Sequence, residues 1–323
     1  MRPWLLTMGL ALLCGAVLAQ SDETRHAAPR DDGKDPSTLN NMLTPAPGSK
    51  GERIASASAT HAETSFLGET NYHAHPLTAA KVGPPVIGHK SSELGETVNG
   101  TFVRSGYLVQ PETEKPLGAL LLVPEWWGLG PSIKAEADRL AGQGYKVLVI
   151  DLYGGQVAAT RQEAARLIAT VQPDKALARL QKALDTLAKG EDGRALKVGV
   201  VGWGWGGALA VKLAASDPRP AALVLYYSEL PREARHVAPL ACPILGIFSS
   251  RDAWVTPDKV RAFKAALKGS GATLQTYSFD VPPGFALEPK NPTERGYAET
   301  ARTQMDAFLA RNLQIRTEPR HQD

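Results

Sequence analysis

Residues 198–216 read VGVVGWGWGGALAVKLAAS, and this stretch decides the fold. The apolar run Val198–Val201 has the length of a buried strand, and the glycine-rich turn 202–207 follows it directly. Ala208–Ala215 then favours a helix. A buried strand, a tight glycine turn and a helix in this order are typical of a parallel α/β protein.

The same alternation continues on both sides of this stretch. The other predicted strands are Ala119–Val123, Lys146–Ile150, Ala221–Tyr227, Ile244–Phe248 and Leu274–Phe279. The other predicted helices are Ser132–Ala141 with Ser132 as N-cap, Arg161–Val171, Lys175–Lys189, Pro257–Leu267 and Glu294–Ala310. An Asn99-Gly100 turn between short β runs predicts a hairpin before them. We therefore expect an α/β fold with a mostly parallel central sheet, helices on both faces, and ligands at the carboxyl ends of the strands.

Composition narrows the classes of function. The 323 residues are 43% hydrophobic and 21% charged, with a formal net charge of +3, which excludes a disordered polymer and a multi-span membrane protein. The positive excess forms no run of like charges, so no nucleic-acid partner is expected. The 7 histidines and 2 cysteines show no ligand spacing, so neither a metal nor another cofactor is expected.

The first 19 residues resemble an export signal. Arg2 precedes an apolar stretch, Leu5 to Leu18, and Val17-Leu18-Ala19 predicts cleavage after Ala19. The stretch is shorter than a membrane-spanning helix. Lipid attachment at Cys14 is the weaker alternative, because Leu13 occupies a position where a small residue is required. We expect a periplasmic or secreted mature chain, with Cys242 as its single cysteine and no transmembrane span.

Three segments follow the signal peptide. Residues 20–93 are polar, interrupted by Pro and Gly, and too poor in apolar periodicity to bury a core, so they are predicted to be a poorly ordered linker. Within it, His73 and His75 are interpreted as solvated loop residues in preference to a weak metal site. Residues 94–313 form the predicted domain, and 314–323 form a tail.

The loops after the predicted strands carry five motifs. They are EWWGL at 125–129, DLYGG at 151–155, GWGWGG at 202–207, DAWV at 252–255 and PGF at 283–285. In this order they resemble the dienelactone hydrolase family of the α/β-hydrolase fold, over about residues 96–312. The resemblance implies a carboxylic-ester or lactone hydrolase in which 202–207 is the nucleophile elbow, Asp252 is the triad acid and 283 is the histidine position. It also implies that Glu125 lies beside the nucleophile and that the backbone N–H groups of Trp126 and Trp205 form the oxyanion hole.

Two of these positions lack the residue that the chemistry needs. Gly204 occupies the nucleophile position and has no side chain that could attack a substrate. Pro283 occupies the histidine position and cannot accept a proton. Loss of one triad member typically lowers kcat by a factor of ~10⁴ or more. Asp252 and Glu125 match the family at their positions. We nevertheless expect that this chain does not carry out the acyl-enzyme reaction of the family.

Two alternatives keep a reaction or a cofactor in the site. A rebuilt triad would need Ser228, Ser249 or Ser250 together with His236 or His321. A dinucleotide site would use Gly202-x-Gly204-x-x-Gly207, with Glu229 on the ribose. The triad is not preferred, because His236 is expected on the outer surface and His321 in the tail. The bulky rings of Trp203 and Trp205 disfavour a closely approaching pyrophosphate, so the dinucleotide site is not preferred either.

Five tryptophans remain after signal removal, all in three loops at one edge of the predicted sheet: Trp126, Trp127, Trp203, Trp205 and Trp254. They are interpreted either as packing residues or as the lining of a cleft for a small apolar or acyl/carboxylate ligand. Glu125 either anchors that ligand or pairs with a cation such as Arg251. The preferred hypothesis is a non-hydrolytic binding or scaffold protein of the cell envelope. The alternatives are an ester or lactone hydrolase with atypical residues and a dinucleotide-binding protein.

Overall fold

The computed structural model describes residues 87–190 and 192–313. The predicted signal peptide, nearly all of the predicted linker and the predicted tail lie outside the described residues. The strands are β1 His89–Val98, β2 Thr101–Pro111, β3 Gly118–Val123, β4 Tyr145–Ile150, β5 Val198–Trp203, β6 Pro220–Tyr226, β7 Ile244–Ser249 and β8 Leu274–Phe279. The helices are α1 Pro131–Gly142, α2 Arg161–Thr170, α3 Pro173–Leu187, α4 Trp205–Ser216, α5 Ala234–Val237, α6 Pro257–Ala266 and α7 Pro292–Leu313.

The eight strands form one sheet in the order β1-β2-β4-β3-β5-β6-β7-β8. β1 and β2 are the predicted Asn-Gly hairpin and pair antiparallel, and β2 also pairs antiparallel with β4. All the remaining neighbours are parallel. The carboxyl ends of β3, β5, β6, β7 and β8 therefore meet at one edge, which confirms the predicted mostly parallel sheet.

Apolar side chains cover both faces of the sheet. On one face α1 and α7 pack through residues such as Leu140 and Leu309, and on the other α3, α4 and α6 pack through residues such as Leu184 and Phe263. Every side chain of β3 is buried, as the continuous apolar run predicts for a strand covered on both sides. None of the helices in the described ranges combines the length and apolar character needed to cross a membrane.

Most boundaries differ from the sequence predictions by one to three residues, and three of the differences have a local structural reason. Ser132 is not the N-cap of α1, because Pro131 already occupies the first helical turn and Gly130 is the N-cap. The hydroxyl of Ser132 instead donates to Glu288 Oε1 at 2.8 Å. β1 begins at His89, inside the range predicted as linker, since its backbone pairs with β2 although its side chains are almost all exposed. α4 begins at Trp205, three residues before the predicted start.

Candidate functional site

A cleft of about 670 Å³ lies at the edge where the parallel strands end. The loops after β3, β5, β7 and β8 contribute Glu125, Gly204, Asp252 and Pro283 to its lining. The four positions that the family resemblance singled out are thus brought together, although up to 158 residues separate them in the chain. What this site can do depends on the side chains that these positions carry.

Gly204 keeps the backbone geometry of a strand-to-helix elbow. Its φ of +49° and ψ of −118° lie in a region that L-residues rarely adopt, and its N–H donates to Tyr226 O at 2.9 Å. A Cβ built at this position would meet a single neighbour within 4 Å, Glu125 Cγ at 3.8 Å. The tip of the turn therefore has room for a side chain and carries none.

The glycines around the tip are crowded. Gly202, Gly206 and Gly207 form what we call the glycine collar. A Cβ on Gly206 would lie 2.2 Å from Pro124 O, and one on Gly207 would lie 1.7 Å from the hydroxyl of Ser228. A Cβ on Gly202 would lie 2.5 Å from the Cα of Gly207. The collar lets α4 start directly against β3 and β5, which fixes the position of the tip.

Pro283 is exposed in the turn after β8 and offers no proton acceptor. The described residues contain two histidines, and neither lines the cleft. His89 lies on β1, 3.7 Å from Asp138, and His236 is exposed on α5. His321 lies outside the described residues. A histidine that could act as general base is therefore missing from the described part of the cleft.

Asp252 is buried and its carboxylate supports its own loop. Oδ1 accepts the backbone N–H of Trp254 at 2.7 Å and that of Val255 at 3.1 Å. This pattern is an Asx turn that shapes the start of the loop before α6. Without a histidine to orient, the role that the geometry gives Asp252 is positioning Trp254.

Glu125 lies beside the tip of the elbow and pairs with Tyr227. The Tyr227 hydroxyl lies 2.6 Å from Glu125 Oε1. Desolvation raises the pKa of Glu125 to about 7, and the like charge of Glu288 adds to this, while the hydrogen bonds from Tyr227 and Trp127 oppose it. Burial, followed by the charge of Glu125, also raises the pKa of Tyr227. Near neutral pH the carboxyl group therefore exchanges readily between its acid and its carboxylate form.

The proposed pairing of Glu125 with Arg251 is wrong. Arg251 forms a two-pronged ion pair with Asp280, at 2.8 and 2.9 Å, on the exposed side of the loop after β7. An arginine fork and a carboxylate match geometrically, so Arg251 is held by Asp280 in this loop. The contacts of Glu125 are with neutral groups.

Four of the five tryptophans line the cleft: Trp126, Trp127, Trp205 and Trp254. Trp203 does not, which corrects its prediction as a pocket residue. It is the last residue of β5, 1% exposed, and stacks on Tyr226 at 5.3 Å between ring centroids inside the core. Tyr153 of the DLYGG turn stabilises the cleft wall, since its hydroxyl donates to Trp126 O at 3.1 Å and its ring stacks on Trp205.

The two predicted oxyanion donors border the cleft. Trp205 is the first residue of α4, so its N–H has no acceptor within the helix. Trp126 lies in the loop after β3, which Tyr153 holds in place. The backbone part of an oxyanion hole is therefore compatible with this arrangement.

A rebuilt triad finds no geometric support. The hydroxyl of Ser228 is buried behind the collar and donates to Tyr226 O at 3.1 Å. Ser249 donates to Val281 O, and Ser250 lies 3.2 Å from Asp280 Oδ1. None of the three hydroxyls faces a histidine of the described residues.

The dinucleotide interpretation is not supported by the sheet order. The glycine-rich turn follows β5, whereas a dinucleotide fingerprint follows the first strand of a sheet ordered 3-2-1-4-5-6. Gly202 and Gly207 face each other inside the collar, so close packing accounts for both. Glu229 lines the cleft wall after β6.

Tyr227 is the functional residue that sequence reasoning missed. It was predicted as the end of a strand, yet it lies just after β6 with φ of +38°, an unusual value for a residue with a side chain. That conformation directs its hydroxyl to Glu125. The run Tyr227-Ser228-Glu229, polar at the carboxyl end of a buried strand, was the available signal.

Comparison with known proteins agrees with this geometry. Residues 105–313 match the model of the Dienelactone hydrolase family. "Protein usf" of Aquifex pyrophilus is 30% identical over 189 residues, 56% of this chain and 80% of that protein. A dienelactone hydrolase-like promiscuous phosphotriesterase from metagenomic libraries has a TM-score of 0.58 at 21% identity, covering 70% of this chain and 99% of its own. The dienelactone hydrolase of Anabaena variabilis has a TM-score of 0.52 at 20% identity, with the same coverage.

The fold and the elbow define a protein of the α/β-hydrolase class. Within that class, the family match covers well over half of the residues. The chain belongs to the dienelactone hydrolase family, which confirms the resemblance that its loop motifs indicated. The structural similarities, at these identities, bear on the fold alone.

Proposed function

We propose that this protein is a non-hydrolytic, ligand-binding member of the dienelactone hydrolase family. One observation carries the proposal: Gly204 has the backbone conformation of a nucleophile elbow and an open space where the nucleophile would stand. Acyl transfer by this family's route needs a thiol or hydroxyl at that position and a base beside it. The described residues place neither a thiol or hydroxyl at the tip nor a histidine beside it, while the cleft remains open.

The ligand that suits the cleft is small and largely apolar. Four tryptophans and Phe285 line it, and large aromatic side chains supply much contact area at low entropic cost. Polar groups converge on one place, the tip of the elbow, where Glu125, Tyr227 and the N–H of Trp205 lie. Such a site would orient one polar group of an otherwise apolar molecule. We propose the cell envelope as its location, because residues 1–19 resemble an export signal.

Hydrolase assays test the proposal. The purified protein is incubated with short p-nitrophenyl esters and with a dienelactone, beside an E125A/D252A double variant. We expect the same release rate from both proteins, since neither has a nucleophile. A rate at least about tenfold above that of the double variant would overturn the proposal.

The Glu125–Tyr227 pair favours one second candidate, hydrolysis by direct attack of water. A pKa of about 7 suits a general base, and the open space at Gly204 would admit the water. Glu125 would take one proton of the water while the water oxygen bonds to the acyl carbon. Collapse of the tetrahedral intermediate would then break the ester C–O bond, and Glu125 would return its proton to the leaving alkoxide. In that case E125Q abolishes turnover, the rate rises with pH to a plateau above about 7, and mass spectrometry detects no acyl-enzyme.

A further inference from the structure

Glu125 has no cationic partner in the described structure. Its contacts are the neutral Tyr227 hydroxyl and the neutral Trp127 side chain, and the charge that acts on it most is the like charge of Glu288. A desolvated carboxylate without a counter-charge is costly, and an opposite charge placed beside it lowers that cost. Glu125 therefore favours a ligand that carries a positive group.

The charges around Glu125 point the same way. The acidic residues lining the cleft, from the loops after β6, β7 and β8 and from α7, are Glu229, Asp252, Glu288 and Glu294. The basic ones, from α2, from α6 and from the loop before α7, are Arg161, Lys259 and Lys290. With Glu125 the acids outnumber the bases, and none of the bases is among the groups that act on the pKa of Glu125. A carboxylate ligand at the elbow would meet both Glu125 and Glu288, so an anion is disfavoured there.

Tryptophan side chains line the same cleft as Glu125. Trp126 and Trp127 lie with ring centroids 4.7 Å apart, and Trp254, 37% exposed, lines the same cleft from the loop after β7. The face of an indole ring attracts cations, and groups of such rings recognise quaternary ammonium ions. A cleft that holds the Glu125 carboxylate and is lined by tryptophan rings suits an organic cation better than a neutral ligand.

We propose that the cleft binds a small organic ammonium ion, with its charge against Glu125 and its apolar body among Trp126, Trp127 and Trp254. The inference rests on the proposed function, because a bound cation would be held rather than turned over. It names the chemical class of the ligand and the residue that selects it. Tyr227 is a positioning residue in this arrangement, since it holds the Glu125 carboxyl toward the tip of the elbow.

The inference makes ligand binding depend on pH in a defined direction. A cation binds the carboxylate form of Glu125, so binding releases the proton that the acid form carries. With a pKa of about 7, Glu125 is mostly protonated at about pH 6 and mostly ionised at about pH 8. The affinity for a permanently charged cation is therefore expected to rise about tenfold over this range. A carboxylate ligand would show the opposite trend.

Calorimetric titration with three probes of similar size tests the inference. The probes are benzyltrimethylammonium, benzyl alcohol and benzoate, each titrated into the full chain at about pH 6 and about pH 8. At the higher pH we expect benzyltrimethylammonium to bind at least about fivefold more tightly than benzyl alcohol, with benzoate weakest. Equal affinities for the cation and the alcohol, tighter binding of benzoate, or no binding of the cation would each overturn the inference.

Two matched variants locate the effect. E125Q keeps the size of the side chain and an acceptor for Tyr227, and should lose both the preference for the cation and its pH dependence. E96Q makes the same change on the exposed strand β1 and should behave as the parent does. Retained selectivity in E125Q would overturn the assignment to Glu125, and the pH trend of the parent tests it independently if E125Q folds poorly.

The two proposals fail differently. Ester turnover by the parent overturns the non-hydrolytic function whatever the probes do. Binding of benzyl alcohol or benzoate without preference for the cation leaves that function standing and overturns the ammonium inference alone.

Discussion

The tip and the collar of the elbow are adjacent, yet they use glycine for opposite reasons. At Gly204 the backbone has a positive φ and the surrounding space is open. At Gly206 no positive φ is needed, but backbone oxygens of β3 and its loop occupy the space a Cβ would need. The collar therefore gives the turn the shape of a strand-to-helix elbow, whereas the residue at its tip carries no side chain. The backbone shape of this turn therefore does not depend on which side chain its tip carries.

The largest expected effect comes from filling the collar. In G206A the new Cβ would lie 2.2 Å from Pro124 O and 2.3 Å from Val123 O, and neither backbone atom can move without displacing β3. We expect a loss of about 3 kcal/mol or more in the free energy of unfolding. Urea unfolding followed by circular dichroism measures it. A variant as stable as the parent would show that the collar is not rigid.

Filling the tip should cost less. G204A adds a Cβ with room around it, so the cost is that of its backbone conformation, about 1–3 kcal/mol. G269A is the matched control, since Gly269 has a φ of +93° and no atom within 4 Å of a built Cβ, and it lies outside the cleft. We expect the two variants to unfold at similar urea concentrations. A loss in G204A as large as that in G206A would contradict the contrast between tip and collar.

Introducing a nucleophile and a histidine tests whether the residues around the tip are positioned for catalysis. G204C together with P283H places a thiol at the elbow and an imidazole on the turn after β8. We expect release of p-nitrophenol at least about tenfold above the parent, because Asp252, Trp126 and Trp205 already line the same cleft. The G204C single variant is the control. A folded double variant without any gain would mean that the turn at Pro283 does not face the tip.

A dependence of stability on pH is expected from Glu125, which lies beside the tip. The pKa of Glu125 is about 7 in the folded protein against an ordinary 4.5, so folding favours its protonated form. Its contribution to stability is therefore full below about pH 4.5 and is lost as the pH rises through about 7. The difference in unfolding free energy between the parent and E125Q, measured across this range, should change in that direction. A difference independent of pH would contradict the raised pKa.

Much of the fold could be predicted from the order of apolar runs and turns. Buried strands such as Gly118–Val123 have no polar face to confuse the pattern, so their positions were found to within a few residues. Helix starts were less certain because a proline or a tight turn can replace a side-chain cap. Pro131 begins α1 where Ser132 was expected to cap it, and the elbow lets α4 begin directly after the turn.

The site could be predicted where it depends on loop motifs and not where it depends on side-chain direction. Trp203 belongs to β5, and period two along a strand places it on the same face as Val201, inside the core. The sequence prediction assigned Trp203 to the turn, so the alternation of side chains along β5 was not applied to it. Tyr227 escaped prediction for a different reason. Its contact with Glu125 joins residues 102 positions apart through a positive φ that no local pattern announces.

The hairpin strand β1 affects whether two copies of this protein could pair through the edges of their sheets. It forms one edge of the described sheet and pairs with β2 alone, so a row of its backbone groups faces away from the described sheet. The register shift at Leu94 and Gly95 and the charges of Lys90, Glu93 and Glu96 disfavour the addition of another strand there. The irregular backbone and the charges of β1 therefore disfavour edge-to-edge pairing between copies of the protein at this strand.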